Sequence, residues 1–245
     1  MIKDTQKFTS ELTRIFKLNG LSSLLNAEKS DKLLRLTDRM LEENEKYNLT
    51  AITDVDKIIL NHYADCATLA ARLPKGCKVI DVGCGAGFPS LPLAILREDV
   101  AILGVDSTQK RINYVKETAE ILGLGNLDAR VMRAEDGGKD PELREKFDFA
   151  TARAVAELRT LTELCLPFVK VGGEFIAMKG KNGEFELKGA AKAISVLGGK
   201  GGKLEAVVLR GGEEPQEHCL ITVKKLNKTP TAYPRPFAQI SKKPL

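Results

Sequence analysis

A doubly wound α/β domain on a mostly parallel sheet is the fold this sequence predicts, and three features predict it. A short strand-like run, Lys78-Val79-Ile80, ends in Asp81 and opens into the glycine-rich loop Gly83-Cys84-Gly85-Ala86-Gly87, with a helix-compatible segment over residues 90–97 behind it. A second apolar run, residues 100–105, ends in Asp106. Strand-like and helix-like stretches then alternate through the rest of the chain, the pattern of a parallel sheet with helices on both faces. In such sheets ligands lie beyond the carboxyl ends of the strands, where the first loop turns into the first helix.

The loop discriminates between ligands. Glycines at 83, 85 and 87 permit a tight turn and a close approach of a ligand to the main chain. The dinucleotide spacing G-x-G-x-x-G would need a glycine at 88, where Phe88 stands. Asp81 adds a negative charge at the strand end, which suits an ammonium group better than a pyrophosphate. S-adenosylmethionine carries an ammonium and no phosphate, so the D-x-G-x-G-x-G order favours a methyl donor over NAD. Asp106 follows Gly87 by 19 residues, where a carboxylate takes the ribose hydroxyls of an adenosine. Residues 108–122 read as a helix, with Ile112, Val115, Ala119 and Leu122 on one face and Gly123 as the stop. A third apolar run ends near Met132, and the polar loop Arg133-Ala134-Glu135-Asp136 follows at the place of adenine contacts.

The flanking segments complete the plan. Residues 1–73 read as helices: Leu33, Leu36, Met40 and Tyr47 form a stripe over residues 31–47. A start signal at Thr53-Asp54 precedes the periodic Val55, Ile58, Ile59, His62, Tyr63 and Cys66. Beyond the third loop, residues 148–152 predict a fourth strand, 158–168 a helix, 173–178 a fifth strand and 183–197 a helix. The glycine run at 198–202 predicts a mobile turn, and residues 204–209 and 219–224 two strands joined as a hairpin, hence one antiparallel strand. A seven-stranded sheet of this kind, with an N-terminal helical extension, is the Rossmann-like fold of class I S-adenosylmethionine-dependent methyltransferases. Three parts are expected: the helical extension at 1–73 packed on the core, the methyltransferase domain at 74–228, and a basic C-terminal tail at 229–245.

Charge and composition narrow the partners. The net charge of +5 is concentrated late: residues 170–245 hold 14 Lys and Arg against 7 Glu. The last 25 residues contain Lys224, Lys225, Lys228, Arg235, Lys242 and Lys243 with no acid. Such clustering is the footprint of a polyanion binder, with a solvated tail as the alternative. Absence of Trp argues against an extended stacking platform. Five cysteines without a C-x-x-C pair and two histidines argue against a disulfide framework and against a metal site. No apolar run reaches the length of a membrane span, and the first residues lack the order of a signal peptide. A cytoplasmic monomer is expected.

The fourth strand bears on the chemistry. Thr151-Ala152-Arg153-Ala154-Val155-Ala156 has nothing like the N-P-P-Y tetrapeptide that holds an exocyclic amine. Cys165, among Leu161, Leu164 and Phe168 on a predicted helix, reads as core rather than as the thiolate that cytosine-carbon methylation needs. A ring nitrogen such as guanine N7 requires neither device, because its lone pair attacks with no proton to remove.

These motifs together resemble the RsmG (GidB) family, the bacterial 16S ribosomal RNA guanine-N7 methyltransferases. The matching stretches are Tyr47-Asn48-Leu49-Thr50, His62 with Asp65, residues 81–93, Asp106-Ser107 with Lys110-Arg111, Arg133-Ala134-Glu135, residues 152–156, Lys179-Gly180, Tyr233-Pro234-Arg235 and Lys243-Pro244-Leu245. The resemblance implies S-adenosylmethionine as cofactor, the small ribosomal subunit as partner, and methylation of guanine-527 in the 530 loop of 16S rRNA. It implies a cofactor site of Asp81, Gly83, Gly85, Phe88, Asp106, Ser107, Ala134, Glu135 and Arg153, with Asp106 on the ribose and Ala134 and Glu135 on the adenine. Arg153 is the catalytic candidate, acting by positioning, with no general base assigned. Asn48, Arg133, Lys179 and Arg235 are the candidates for RNA contact. Blander readings stand beside these: Arg153 paired with Glu157, His62 as a core histidine, and Tyr233 with Arg235 fastening the tail. Two departures from the family pattern, Cys84 for a frequent Ser and Ser90 for a frequent Gly, fall beside the loop. The alternative function is a methyltransferase of the same fold acting on another RNA, a protein or a small molecule.

Overall fold

The strands β1 (Lys78–Val82), β2 (Ala101–Asp106), β3 (Leu127–Val131), β4 (Phe147–Arg153), β5 (Val169–Lys179), β6 (Gly199–Leu209) and β7 (Gln216–Lys225) form one sheet. Its order is β3-β2-β1-β4-β5-β7-β6, with β1 to β5 parallel and β7 antiparallel to both β5 and β6. The computed structural model describes residues 2–245, with the side chain of Tyr47 outside the described residues. The order reverses at β1 and β4, whose carboxyl ends therefore open a crevice between outgoing loops.

Alternation along the strands builds two cores. Val79 and Ile102 face one side of the sheet, where they join α5 (Ser90–Leu96), α6 (Gln109–Ile121) and the N-terminal helices in a single buried cluster. Those N-terminal elements are α1 (Thr5–Leu18), α2 (Ala27–Tyr47), α3 (Val55–Ile58), a π-helical segment (Ile59–Ala64) and α4 (Asp65–Ala70). Ile80, Val82, Leu103 and Val105 face the other side, with the single turn α7 (Ala134–Gly137), α8 (Leu158–Cys165), α9 (Gly183–Val196) and α10 (Phe237–Lys242). The period of two sends neighbouring residues into opposite cores, so the adjacent Val79 and Ile80 of β1 are both apolar and both buried.

Local signals set the helix starts. The carboxylates of Asp4 and Asp54 accept the backbone N–H groups of Lys7 and Lys57, and the Asn26 side chain accepts that of Lys29. Each satisfies one donor that the first helical turn leaves unpaired. Leu33, Leu36 and Met40 are fully buried. Asn48 ends α2 with a left-handed backbone, φ 49°, a conformation that asparagine tolerates better than most residues.

Two sequence expectations need correction. Residues 199–202 are not a mobile turn, because β6 already begins at Gly199 and pairs with β7, with a register shift between Lys200 and Lys203. Gly202 packs closely on α9, where a Cβ would meet the Leu187 methyl and displace it. Residues 229–245 are not a simple solvated tail either. Arg144 donates to the carbonyls of Gly138, Thr229 and Tyr233, and Ile240 of α10 is fully buried. Lys225 is also inside, donating to Leu166 O and Thr229 Oγ1 beside Glu145, and burial pushes its ammonium down to about 8. No helix among the described residues is long and apolar enough to cross a membrane.

Candidate active site

The carboxyl ends of β1, β2 and β4 and the turn after β3 enclose a cavity of about 500 Å³. Gly83, Gly85, Phe88, Asp106, Ser107, Ala134, Glu135 and Arg153 all line it. Gly83 adopts φ +76°, and a Cβ there would come within 2.7 Å of Val155 Cγ2. That left-handed turn lets the loop after β4 close down over the loop after β1. Asp106 is held in one orientation: Oδ1 accepts Thr108 N at 2.8 Å and Oδ2 accepts Gly85 N at 3.1 Å, with Arg111 3.5 Å away. A carboxylate has lone pairs to spare after two such bonds, so it can still accept from a diol. Glu135 is nearly buried in the first turn of α7, beside the largely exposed Arg133.

Asp81 is the exception among the expected cofactor residues. It does not line the cavity and is fully buried beneath the loop. Its Oδ2 accepts from Ser90 Oγ at 2.5 Å and from Ser90 N at 3.2 Å, while Oδ1 has no partner among the described residues. The carboxylate expected to face an ammonium meets the start of α5 through Ser90. Burial is the main cause that raises this carboxyl, to about 6, against the opposing Ser90 bonds. A folded-state value above the unfolded one means that the native protein holds the proton more tightly. The burial cost therefore develops as pH rises from about 4 to about 6 and is complete above that window. Asp81→Asn, which keeps an acceptor for Ser90, is expected to gain roughly 1–3 kcal/mol of urea stability at pH 8 and little at pH 4. An equal change at both pH values would contradict this.

Arg153 organises the opposite wall. Its Nη1 faces Asn61 O at 3.2 Å, Asp65 Oδ2 at 3.4 Å and His62 Nδ1 at 3.3 Å, and Nη2 also lies 3.3 Å from His62 Nδ1. The guanidinium carbon sits 5.3 Å from the centre of the Phe88 ring, which itself packs on His62 at 4.6 Å between centroids. Cation–π contact of this kind suits a planar guanidinium. Glu157, the alternative partner, pairs with Arg159 instead. His62 Nδ1 also lies 3.2 Å from Asn61 O, and its Nε2 lies 3.3 Å from Thr50 Oγ1, so both ring nitrogens are engaged within this wall. Burial first, and Arg153 second, push His62 down to about 4, so it is neutral at ordinary pH. His62 is thus both buried and part of the cavity lining. The π-helical segment is what aims Asn61 and His62 at Arg153, since its wider turn shifts the residues that follow around the axis.

The RNA candidates separate into two groups. Arg133 lines the mouth with its side chain 62% exposed. Asn48 is exposed at the end of α2, outside the cavity lining that Leu49 and Thr50 join. Lys179 and Arg235, by contrast, are taken up inside the fold. Lys179 Nζ donates to Ala156 O at 2.6 Å and pairs with Glu186 at 2.7 Å; Glu186 also accepts Leu158 N. Its task is to pin the loop after β4, in which Ala154 adopts φ +55°. Arg235 grips the fully buried Glu163 through Nε at 2.8 Å and Nη2 at 2.6 Å, and its backbone N–H donates to the same carboxylate at 2.9 Å. Arginine and tail are fastened, as the blander reading had it.

Three contributors were not identified from the sequence. Phe237 reaches the cavity from α10, and Val155 covers Gly83. His218, on β7, donates from Nδ1 to Asp65 Oδ1 at 3.0 Å. The available signal was scarcity: both histidines of the chain stand around the acid and the arginine of one network.

A model of the family described as rRNA small subunit methyltransferase G matches residues 29–215. The chain is 46% identical over 222 residues to the ribosomal RNA small subunit methyltransferase G of Clostridium perfringens, spanning 90% of this chain and 92% of that protein. It is 43% identical over 210 residues to the protein of the same name from Lactobacillus delbrueckii subsp. bulgaricus, spanning 84% and 87% of the two chains. Among solved structures, an S-adenosylmethionine-dependent O-methyltransferase from Thermotoga maritima matches with a TM-score of 0.51 at 15% identity, over 78% of this chain and 72% of that one. That last likeness concerns the fold alone.

Proposed function

The chain belongs to the rRNA small subunit methyltransferase G family, and on that premise we propose that it transfers a methyl group from S-adenosylmethionine to N7 of guanine-527 in the 530 loop of 16S rRNA. The observation that carries this reading is the convergence of the Gly83 turn, Asp106, Ala134 with Glu135, and Arg153 on one cavity of about 500 Å³, a size typical of small-molecule sites.

The residues fit the cofactor. Asp106 would take the ribose hydroxyls, Ala134 and Glu135 the adenine, and the backbone of Gly83 and Gly85 the amino-acid end. When bound, S-adenosylmethionine supplies an electrophilic methyl group on a sulfonium. The chain's own residues then have a restricted task. N7 presents a lone pair and loses no proton, so no general base is needed. His62 has both ring nitrogens engaged within the wall, Nδ1 by Asn61 O and Arg153 and Nε2 by Thr50. The guanine gains positive charge as it is methylated, and a guanidinium beside N7 would oppose that. Arg153 therefore holds O6, a phosphate or the methionine carboxylate, and contributes orientation. Arg133 and Arg111, both largely exposed at the mouth, are the residues we assign to RNA phosphates, with Asn48 at the outer edge.

The cofactor assignment has a direct test. Asp106→Ala removes a charged acceptor of two hydroxyls, a loss on the order of 1.5–3 kcal/mol. S-adenosylmethionine affinity by calorimetry is expected to fall roughly tenfold or more. Wild-type affinity in this variant would overturn the placement of the ribose.

A further inference from the structure

Asp65 stands between an arginine and a histidine of different origin. Its carboxylate is nearly buried, with Oδ2 facing Arg153 at 3.4 Å and Oδ1 accepting from His218 Nδ1 at 3.0 Å. Arg153 comes from the end of β4, Asp65 from the start of α4 and His218 from β7, two strands away from β4 in the sheet. His218 does not line the cavity. A buried carboxylate with one oxygen unpaired would be free to turn about its Cβ–Cγ bond, and the arginine it holds would follow. With both oxygens engaged it has one orientation.

We propose that His218 is a positioning residue for methyl transfer, acting through Asp65 to fix the guanidinium of Arg153 in the wall of the cavity. The proposal rests on the function given above and adds a residue at a distance from the reacting atoms. The surroundings of His218 support it. Val207, its partner across β6, is apolar. Arg72, just beyond α4, is taken by Glu205 of β6. The charged groups that bear on the imidazole are thus Asp65, whose hydrogen bond raises it above its ordinary value, and Arg153, which opposes. A hydrogen bond to a carboxylate is the stronger kind, and it holds the Asp65 side chain in one orientation.

A double-variant cycle on the full chain, assayed with small ribosomal subunits, tests this. His218→Ala is expected to lower the single-turnover rate by about tenfold, the effect of a modest displacement of an orienting group. His218→Asn, whose amide nitrogen can stand where Nδ1 stands, is expected to restore the rate to within about threefold of wild type. In an Arg153→Ala background, His218→Ala is expected to change the rate by less than about twofold, because its effect passes through the missing arginine. The side-chain 15N resonance of Arg153 gives a readout apart from activity: it is expected to move in His218→Ala and return in His218→Asn. Equal losses in both backgrounds, or no rescue by Asn, would overturn the proposal. Wild-type protein that leaves small subunits unmethylated would instead overturn the function on which it rests.

Discussion

Arg153→Ala is expected to slow methyl transfer by roughly 10²-fold, the effect of misplacing reactants by about an ångström. The expectation follows from how many directions hold this side chain at once: a carbonyl at Asn61, a carboxylate at Asp65, an imidazole nitrogen at His62 and the face of Phe88. A guanidinium can meet all four because it is planar and carries five donors. Arg153→Lys retains the charge but not the fork or the stack, so it is expected to recover little. Stability should suffer less than activity, since Asp65 keeps His218 as a partner. Single-turnover kinetics with labelled cofactor, set beside urea unfolding of the same samples, separates the two. Wild-type rates in Arg153→Ala would remove the residue from the mechanism.

Arg235→Ala is expected to be among the most destabilising substitutions in the chain, by about 3–5 kcal/mol. It leaves Glu163, fully buried on α8, without the two side-chain bonds that neutralise it. The cost belongs to the stranded charge rather than to the worth of the pair. Glu163→Gln in the Arg235→Ala background is therefore expected to recover a large part of the loss, and urea midpoints of the single and double variants measure it. A single variant within about 0.5 kcal/mol of wild type, the range of ordinary surface changes, would show that Arg235 is not holding α8 to the C-terminal segment. Any fall in RNA affinity in this variant is expected to accompany loss of folded protein, because Arg235 is engaged by Glu163 and by Lys243 O.

The parts of this protein that were legible in its sequence are those encoded within a few residues. The run from Lys78 to the Gly83 turn, the acid at Asp106 and the loop at Ala134-Glu135 each combine a strand end with a turn, and the parallel order brings them to one rim. Roles that depend on a distant partner were not legible. Lys179 and Arg235 look like phosphate ligands until Glu186 and Glu163, brought in by α9 and α8, take them. Asp81 reads as a cofactor contact until Ser90 turns it under the loop. The glycines at 198–202 signal a turn by composition, yet Gly199 and Gly202 lie in β6 against Ile194 and Leu187 of α9. His218 carries no local signal at all, because Asp65 lies 153 positions away in the chain.

The central claim is chemical, and the site of methylation tests it most directly. Small ribosomal subunits lacking the modification are incubated with the protein and tritiated S-adenosylmethionine. The RNA is then treated with borohydride and aniline, which cleave the chain at N7-methylguanine, and the break is mapped. The account predicts one methyl group per subunit and a new break at guanine-527, both appearing roughly 10²-fold more slowly in Arg153→Ala. Label carried by a different nucleotide, by an exocyclic amine or ring carbon, or by ribosomal protein would contradict it.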